Sequence, residues 1–153
     1  MGTKLEYKQE FLSTCYEDMQ SLLKIHWEEI ALNQDAIKLN PCIEKYEECE
    51  KSGYLKIFTA RDADKLVGYF ALIVQPSLHY QDHIFATTDV IFLHPDYRKG
   101  RSGMKLIQFG LECLAQDSVS MVFINTKIHR PFDPLLKSLG FSHIENVYAK
   151  RLI

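Results

Sequence analysis

The stretch DVIFLHPDYRKGRSGMKLIQFGLECL, residues 89–114, changes its period half-way along. Val90 to Leu93 is a short apolar run of strand type, whereas from Ser102 onwards apolar residues recur at helical steps. Between them lie Pro95, the bases Arg98, Lys99 and Arg101, and the glycines Gly100 and Gly103. The stretch therefore predicts a strand, a tight basic loop and a helix over Ser102 to Gln116. The first N–H groups of a helix have no partner within it, and the helix dipole adds positive charge there. Glycine lets a ligand approach the backbone closely, so a phosphate is the natural guest of Arg98 to Gly103. A plainer reading stands beside it, in which the two glycines only shape the turn.

Outward from this unit, both kinds of period continue. Residues 10–33 read as a helix, with Phe11, Cys15, Met19, Leu22, Leu23, Trp27 and Ile30 at three- and four-residue steps. A second, shorter helix follows, with Asn40 as cap, Pro41 in its first turn and Gly53 at its exit. YLKIFTARDADKLVGYFALIVQP, residues 54–76, gives two strands joined by a polar turn, and HIFATTDVIFL, residues 83–93, gives a third. After the helix at 102–116 come a strand at 118–128, a short helix at 132–140 and a last strand at 141–153, with an additional short strand at Lys4 to Lys8. The order predicts one α/β domain over 1–153, a mixed, mostly antiparallel sheet flanked by helices. Its parallel part is the strand–helix–strand unit around Gly100.

The chain has 153 residues, 46% apolar and 25% charged, with net charge −2. That balance advertises neither nucleic acid nor an anionic membrane, so any anion site is local. No apolar run is long enough to span a bilayer, and MGTKLEYKQE lacks the apolar core of a signal peptide. Gly2 fails as a myristoylation site because Glu6 stands where Ser or Thr is needed. Cys15, Cys42, Cys49 and Cys113 form no C-x-x-C pair and match no zinc spacing, so the expectation is reduced thiols, a cytoplasmic protein and no metal. The G-x-x-x-x-G-K-[ST] and G-x-G-x-x-G patterns are both absent.

LHPDYRKGRSGMKLI, residues 93–107, resembles the acyl-CoA-binding segment of the GNAT (general N-acetyltransferase) superfamily, P-x-Y-R-x-x-G-x-G/A followed by an apolar helix. Pro95, Tyr97, Arg98, Gly103, Leu106 and Ile107 match in register, while Arg101 falls on the first family glycine and Gly100 lies one position earlier. LLKSLGF, residues 135–141, resembles a second family signature, L-Y-E-K-L-G-F, with Leu136 in place of its tyrosine. The upstream family asparagine falls on His129. HWEEIALN, LHY and YAKRL are similar to a subgroup often encoded by bacteriophages.

The resemblance implies a splayed sheet and acetyl-CoA as co-substrate, with no metal. Its pyrophosphate would rest on Arg98, Lys99, Gly100, Arg101, Ser102 and Gly103, and its pantetheine arm would pair with Ile91, Phe92 and Leu93. The acetyl group would then go to a primary amine. An amine of pKa about 10.4 is mostly charged at pH 7, so a base must take its proton. Asp89, Glu28, Glu29, His79 and His94 are the candidates. Asp89 interrupts an apolar strand, on the side expected to carry Thr87 and Ile91, and His79 has the right ordinary pKa, about 6.5. With Leu136 at the tyrosine position, the acid for the thiolate would be Tyr148, Tyr80 or water. The carboxylates Glu28, Glu29, Asp82 and Asp89 would suit a cationic acceptor. The expected partners are an amine-bearing small molecule or protein, with a homodimer as one assembly and no direct contact to nucleic acid or membrane. The alternative is a catalytically weak or inactive GNAT-like module that acts by binding a partner protein.

Overall fold

A computed structural model describes residues 4–153; Gly2 lies outside them. The elements run β1 (Glu6–Glu10), α1 (Leu12–Ile30), α2 (Ile43–Lys51), β2 (Leu55–Asp62), β3 (Lys65–Pro76), β4 (Ile84–Leu93), a single 3-10 turn (Pro95–Tyr97), α3 (Ser102–Gln116), β5 (Val119–Phe123) and α4 (Asp133–Ser138). The five strands form one sheet in the order β1-β2-β3-β4-β5. Neighbours are antiparallel except β4 and β5, which are parallel, with α3 as their crossover. The predicted mixed α/β sheet flanked by helices is what the chain forms.

Each face of the sheet has its own core. Phe58, Phe70, Leu72, Leu106, Ile107 and Leu114 pack on the α3 side, and Cys15, Met19, Leu22, Ile57, Tyr69 and Phe92 on the α1 side. On the α3 side the helix approaches the sheet so closely that a Cβ on Gly110 would lie 2.9 Å from the Phe70 ring and 3.0 Å from Phe58. On the α1 side the buried face of the helix is Leu12, Cys15, Met19, Leu22 and His26. This is rotated from the expected one: Phe11 is 67% exposed. His26, rather than Trp27, completes the face. Buried Arg61 ties three elements together by bonding Glu10 through Nε (2.8 Å) and Nη2 (3.0 Å) and Asp18 through Nη1 (3.0 Å). Thr59 also donates to Glu10.

Three expected elements differ. The second helix starts at Ile43 with Cys42 at its cap, not at Asn40. The strand at 118–128 is only Val119–Phe123. Residues 141–153, expected as a last strand, have no ladder partner. A strand is made by its neighbour's hydrogen bonds, which a periodic sequence cannot supply alone.

Candidate active site

β4 has two different halves. It pairs with β3 along its whole length, from Pro76↔Ile84 to Gly68↔Leu93. With β5 it pairs only from Ile84 to Thr87, and the Thr88 hydroxyl caps the ladder by donating to the Phe123 carbonyl at 2.8 Å. From Asp89 to Leu93 the outer edge of β4 has no strand beside it. Asp89 also sits in a bulge: Leu72 faces Thr88 and Ala71 faces Val90, so nothing on β3 faces Asp89. A bulge reverses the alternation beyond it. Val90 and Phe92 therefore join the α1-side core, and Ile91 packs on the α3 side. Asp89 shares its face with Thr87 but not with Ile91, which corrects the strict alternation expected from the sequence.

Thr87 and Asp89 line an open cleft of about 400 Å³ with Ile73, Gln75, Ser77 and Phe85. Asp89 is the one charged group in its lining. The Tyr46 hydroxyl donates to Asp89 Oδ2 at 2.6 Å. Ile43, Tyr46 and Cys49 form the inward stripe of α2, which delivers the phenol to the strand. Burial, and then the bond to the carboxylate, raise the Tyr46 pKa, so it stays a donor. Asp89 Oδ1 has no hydrogen-bond partner among the described residues and is left for a guest. A cleft with one fixed, half-satisfied carboxylate is built for a cation.

Further along β4 lies a buried polar group. His26 Nδ1 and the Tyr69 hydroxyl are 2.9 Å apart, and the imidazole stacks on Phe92 at 4.8 Å. Burial pushes the His26 pKa down to about 4, with Arg98 and Lys127 adding to the effect and Glu29 opposing it. The imidazole is therefore neutral near pH 7. Arg98 lies over the Phe92 ring at 5.3 Å, donates from Nε to the Leu93 carbonyl at 2.8 Å, and pairs with Glu29 at 3.0 Å.

The loop beyond β4 is anchored from both sides. The Asp96 N–H donates to His94 Nδ1 at 3.2 Å, and the Tyr97 hydroxyl donates to Asp62 Oδ2 at 2.6 Å, fixing the loop to the β2–β3 hairpin. Gly100 takes φ +78°, a turn that side chains rarely adopt. Helix α3 then starts at Ser102, and Arg101 at its cap contributes no side-chain bond. Among the described residues, the Ser102, Gly103 and Met104 N–H groups have no acceptor, and Lys99 and Arg101 have no ionic partner. These form the anion site. A Cβ on Gly103 would meet Leu135 at 3.6 Å and Leu93 at 3.9 Å, so this glycine faces the core rather than the loop mouth.

The remaining sequence candidates are dispersed. Glu29 is engaged by Arg98, and the Glu28 carboxylate makes no hydrogen bond or ion pair. His79 and Tyr80 are exposed in the loop between β3 and β4, with their rings 6.3 Å apart. Tyr148 is 90% exposed. Leu136 is buried in the α3-side core. No group of metal-ligating side chains occurs among the described residues. Tyr46, His26 and Tyr69 were not singled out by sequence reasoning. His26 was findable, since it continues the Leu12, Cys15, Met19, Leu22 series by one helical turn.

No family model matches the chain, and no curated protein matches it by sequence. Solved structures do match. An aminoglycoside acetyltransferase from an uncultured soil metagenomic sample, in complex with sisomicin, covers 97% of this chain and 95% of its own, at 14% identity and TM-score 0.75. The chain has the GNAT fold. A predicted acetyltransferase from Clostridium acetobutylicum, with acetyl-CoA, matches over 97% of this chain and 96% of its own, at 11% identity and TM-score 0.70. A transcriptional regulator from Bacillus halodurans shares the fold over 97% of this chain and 100% of its own, at 16% identity and TM-score 0.76. The resemblance to a bacteriophage-encoded subgroup finds no support among these structures.

Proposed function

We propose that residues 1–153 form a single N-acetyltransferase domain that moves the acetyl group of acetyl-CoA to a primary amine in the cytoplasm. The observation that carries this reading is the end of the β4–β5 ladder at Thr87. It leaves one free strand edge with an anion site at one end and a carboxylate cleft at the other. From Asp89 to Leu93 that edge is roughly 13 Å long at about 3.3 Å per residue. The Lys99 and Arg101 side chains and the α3 amides hold the coenzyme's phosphates. The Ile91 to Leu93 edge takes its amide-bearing arm.

Acetyl-CoA supplies the activated acyl group. The amine is drawn into the cleft as a cation by Asp89, whose position Tyr46 fixes. Loss of one proton to water or to Asp89 frees the nitrogen lone pair, which forms the new C–N bond as the C–S bond breaks. The thiolate then takes a proton. With Leu136 in the core and Tyr148 on an exposed segment, water is the donor of choice, and a thiol pKa near 8.5 makes a dedicated acid of modest value. Glu29 acts indirectly by holding Arg98, and His79 belongs to the rim of the acceptor side.

The alternative, a GNAT-like module working by partner binding, draws on Leu136 at the tyrosine position and on the regulator that shares the fold. Thiol release from acetyl-CoA against a panel of amines, run beside CoA calorimetry, separates the two. Turnover on a primary amine is the expected result. Tight CoA binding with no turnover on any amine favours the binding module, and no CoA binding removes the proposed site.

A further inference from the structure

Residues 142–153 are extended and exposed, and among the described residues none of them takes part in a backbone hydrogen bond. The segment is nevertheless apolar on both sides. Ile144, Tyr148 and Leu152 alternate with Val147, Ala149 and Ile153, and the large ones are 67–90% exposed. Strands with two apolar faces belong inside sheets covered on both sides, not in water. The sheet of this chain is covered on both faces, by α1 and α2 on one and α3 on the other. It also ends in β5, whose outer edge has no strand beside it and whose Met121 is 47% exposed. The chain thus carries a strand without a sheet and a sheet edge without a strand.

These two deficits do not cancel within one chain. The segment leaves α4 beside Phe141, which packs on the α3-side core. Its far end is tied by Arg151 to Asp35, at 3.0 Å, in the loop between α1 and α2. It passes from one face of the sheet to the other without running along β5. We propose that residues 142–153 of one copy pair with the β5 edge of a second copy, and reciprocally. The same two elements meet twice, so the contact is isologous and closes at two chains. Twelve arm residues, the five of β5 and their flanks give about 20 residues a side, the lower end of a standard stable interface. It would also cover an edge that otherwise invites uncontrolled pairing.

Sedimentation equilibrium on the full chain tests the proposal. The expected species at about 100 µM, above the Kd of a standard interface, has twice the 17.8 kDa chain mass. Val147→Glu in the arm and Met121→Glu on the edge should each weaken association at least tenfold with an unchanged circular dichroism spectrum. Amide exchange supplies a readout independent of variant folding. Protection of residues 119–123 and 142–153 should rise together with concentration in the wild-type protein. A monomer throughout the range overturns the proposal, as does a dimer whose formation leaves both segments unprotected.

Discussion

The two halves of β4 have the same partner on one edge and opposite fates on the other. Ile84 to Thr87 is held between β3 and β5, with Ala86 fully buried and Phe85 packed edge-on against Phe123 at 5.5 Å. Asp89 to Leu93 is held by β3 alone, and polar side chains from distant segments converge on it: Tyr46, His26, Arg98 and Glu29. The first half needs only apolar neighbours because its backbone is satisfied. The second has unused backbone groups and a displaced side chain at its bulge, so it can take up a ligand. A ladder that stops is a binding site when both ends of the gap carry charge complementary to one guest.

If this contrast is functional, the largest effect falls on the bulge. Asp89→Asn should lower turnover about 10²–10⁴-fold, the range of general base assistance, with CoA affinity unchanged. Steady-state kinetics beside calorimetry reads both, and wild-type turnover would remove Asp89 from the reaction. Next comes the far end of the free half. Lys99→Glu combined with Arg101→Glu should weaken CoA binding about 100-fold, from two charge-assisted contacts of roughly 1.5 kcal/mol each, and leave the fold intact. Calorimetry finding wild-type affinity would move the phosphates elsewhere.

The polar support beneath the free half should show as acid sensitivity. His26 has its pKa lowered to about 4 in the fold, so the unfolded chain, with an ordinary value near 6.5, takes the proton first. This contribution is whole above pH 6.5 and is lost as pH falls towards 4, about 2 kcal/mol being gone by pH 5. The lowered Glu10 pKa, where hydrogen bonds from Arg61 and Thr59 outweigh the opposing effect of burial, adds a loss only below the ordinary carboxylate range. Denaturant titrations at pH 7 and pH 5 should differ accordingly, and His26→Phe should flatten that window. A pH response unchanged in the variant would assign the effect to other groups. The smallest effect is expected of Tyr46→Phe, which removes one neutral donor from Asp89. It should reduce kcat/KM for the amine about tenfold without altering CoA affinity. An equal loss in CoA affinity would mean that the phenol supports the fold rather than the cleft.

Legibility followed the range of the interaction. The β2–β3 hairpin was readable from RDADK, and its turn closes at Asp62↔Lys65 with Ala63 at φ 52°. The loop at Pro95 to Gly103 was readable because prolines, glycines and helix starts act over a few residues. The Asp89 bulge was not, since it is defined by which β3 residues stand opposite. The Tyr46–Asp89 bond joins positions 43 residues apart, and nothing local to YEECEK announces it.

By itself, the sequence determined the alternation of helices and strands, the basic strand-to-helix turn, and a buried strand carrying one carboxylate. These follow from side-chain period, glycine freedom and the orphan N–H groups of any helix start, all set within a turn or two of chain. Only the tertiary structure decided where β4 and β5 part, which face Asp89 takes, that Glu29 is spent on Arg98, and that residues 141–153 find no strand beside them. Each of these depends on a hydrogen-bonding partner brought from far along the chain, and a pattern of apolar residues specifies that a strand can pair without specifying with what.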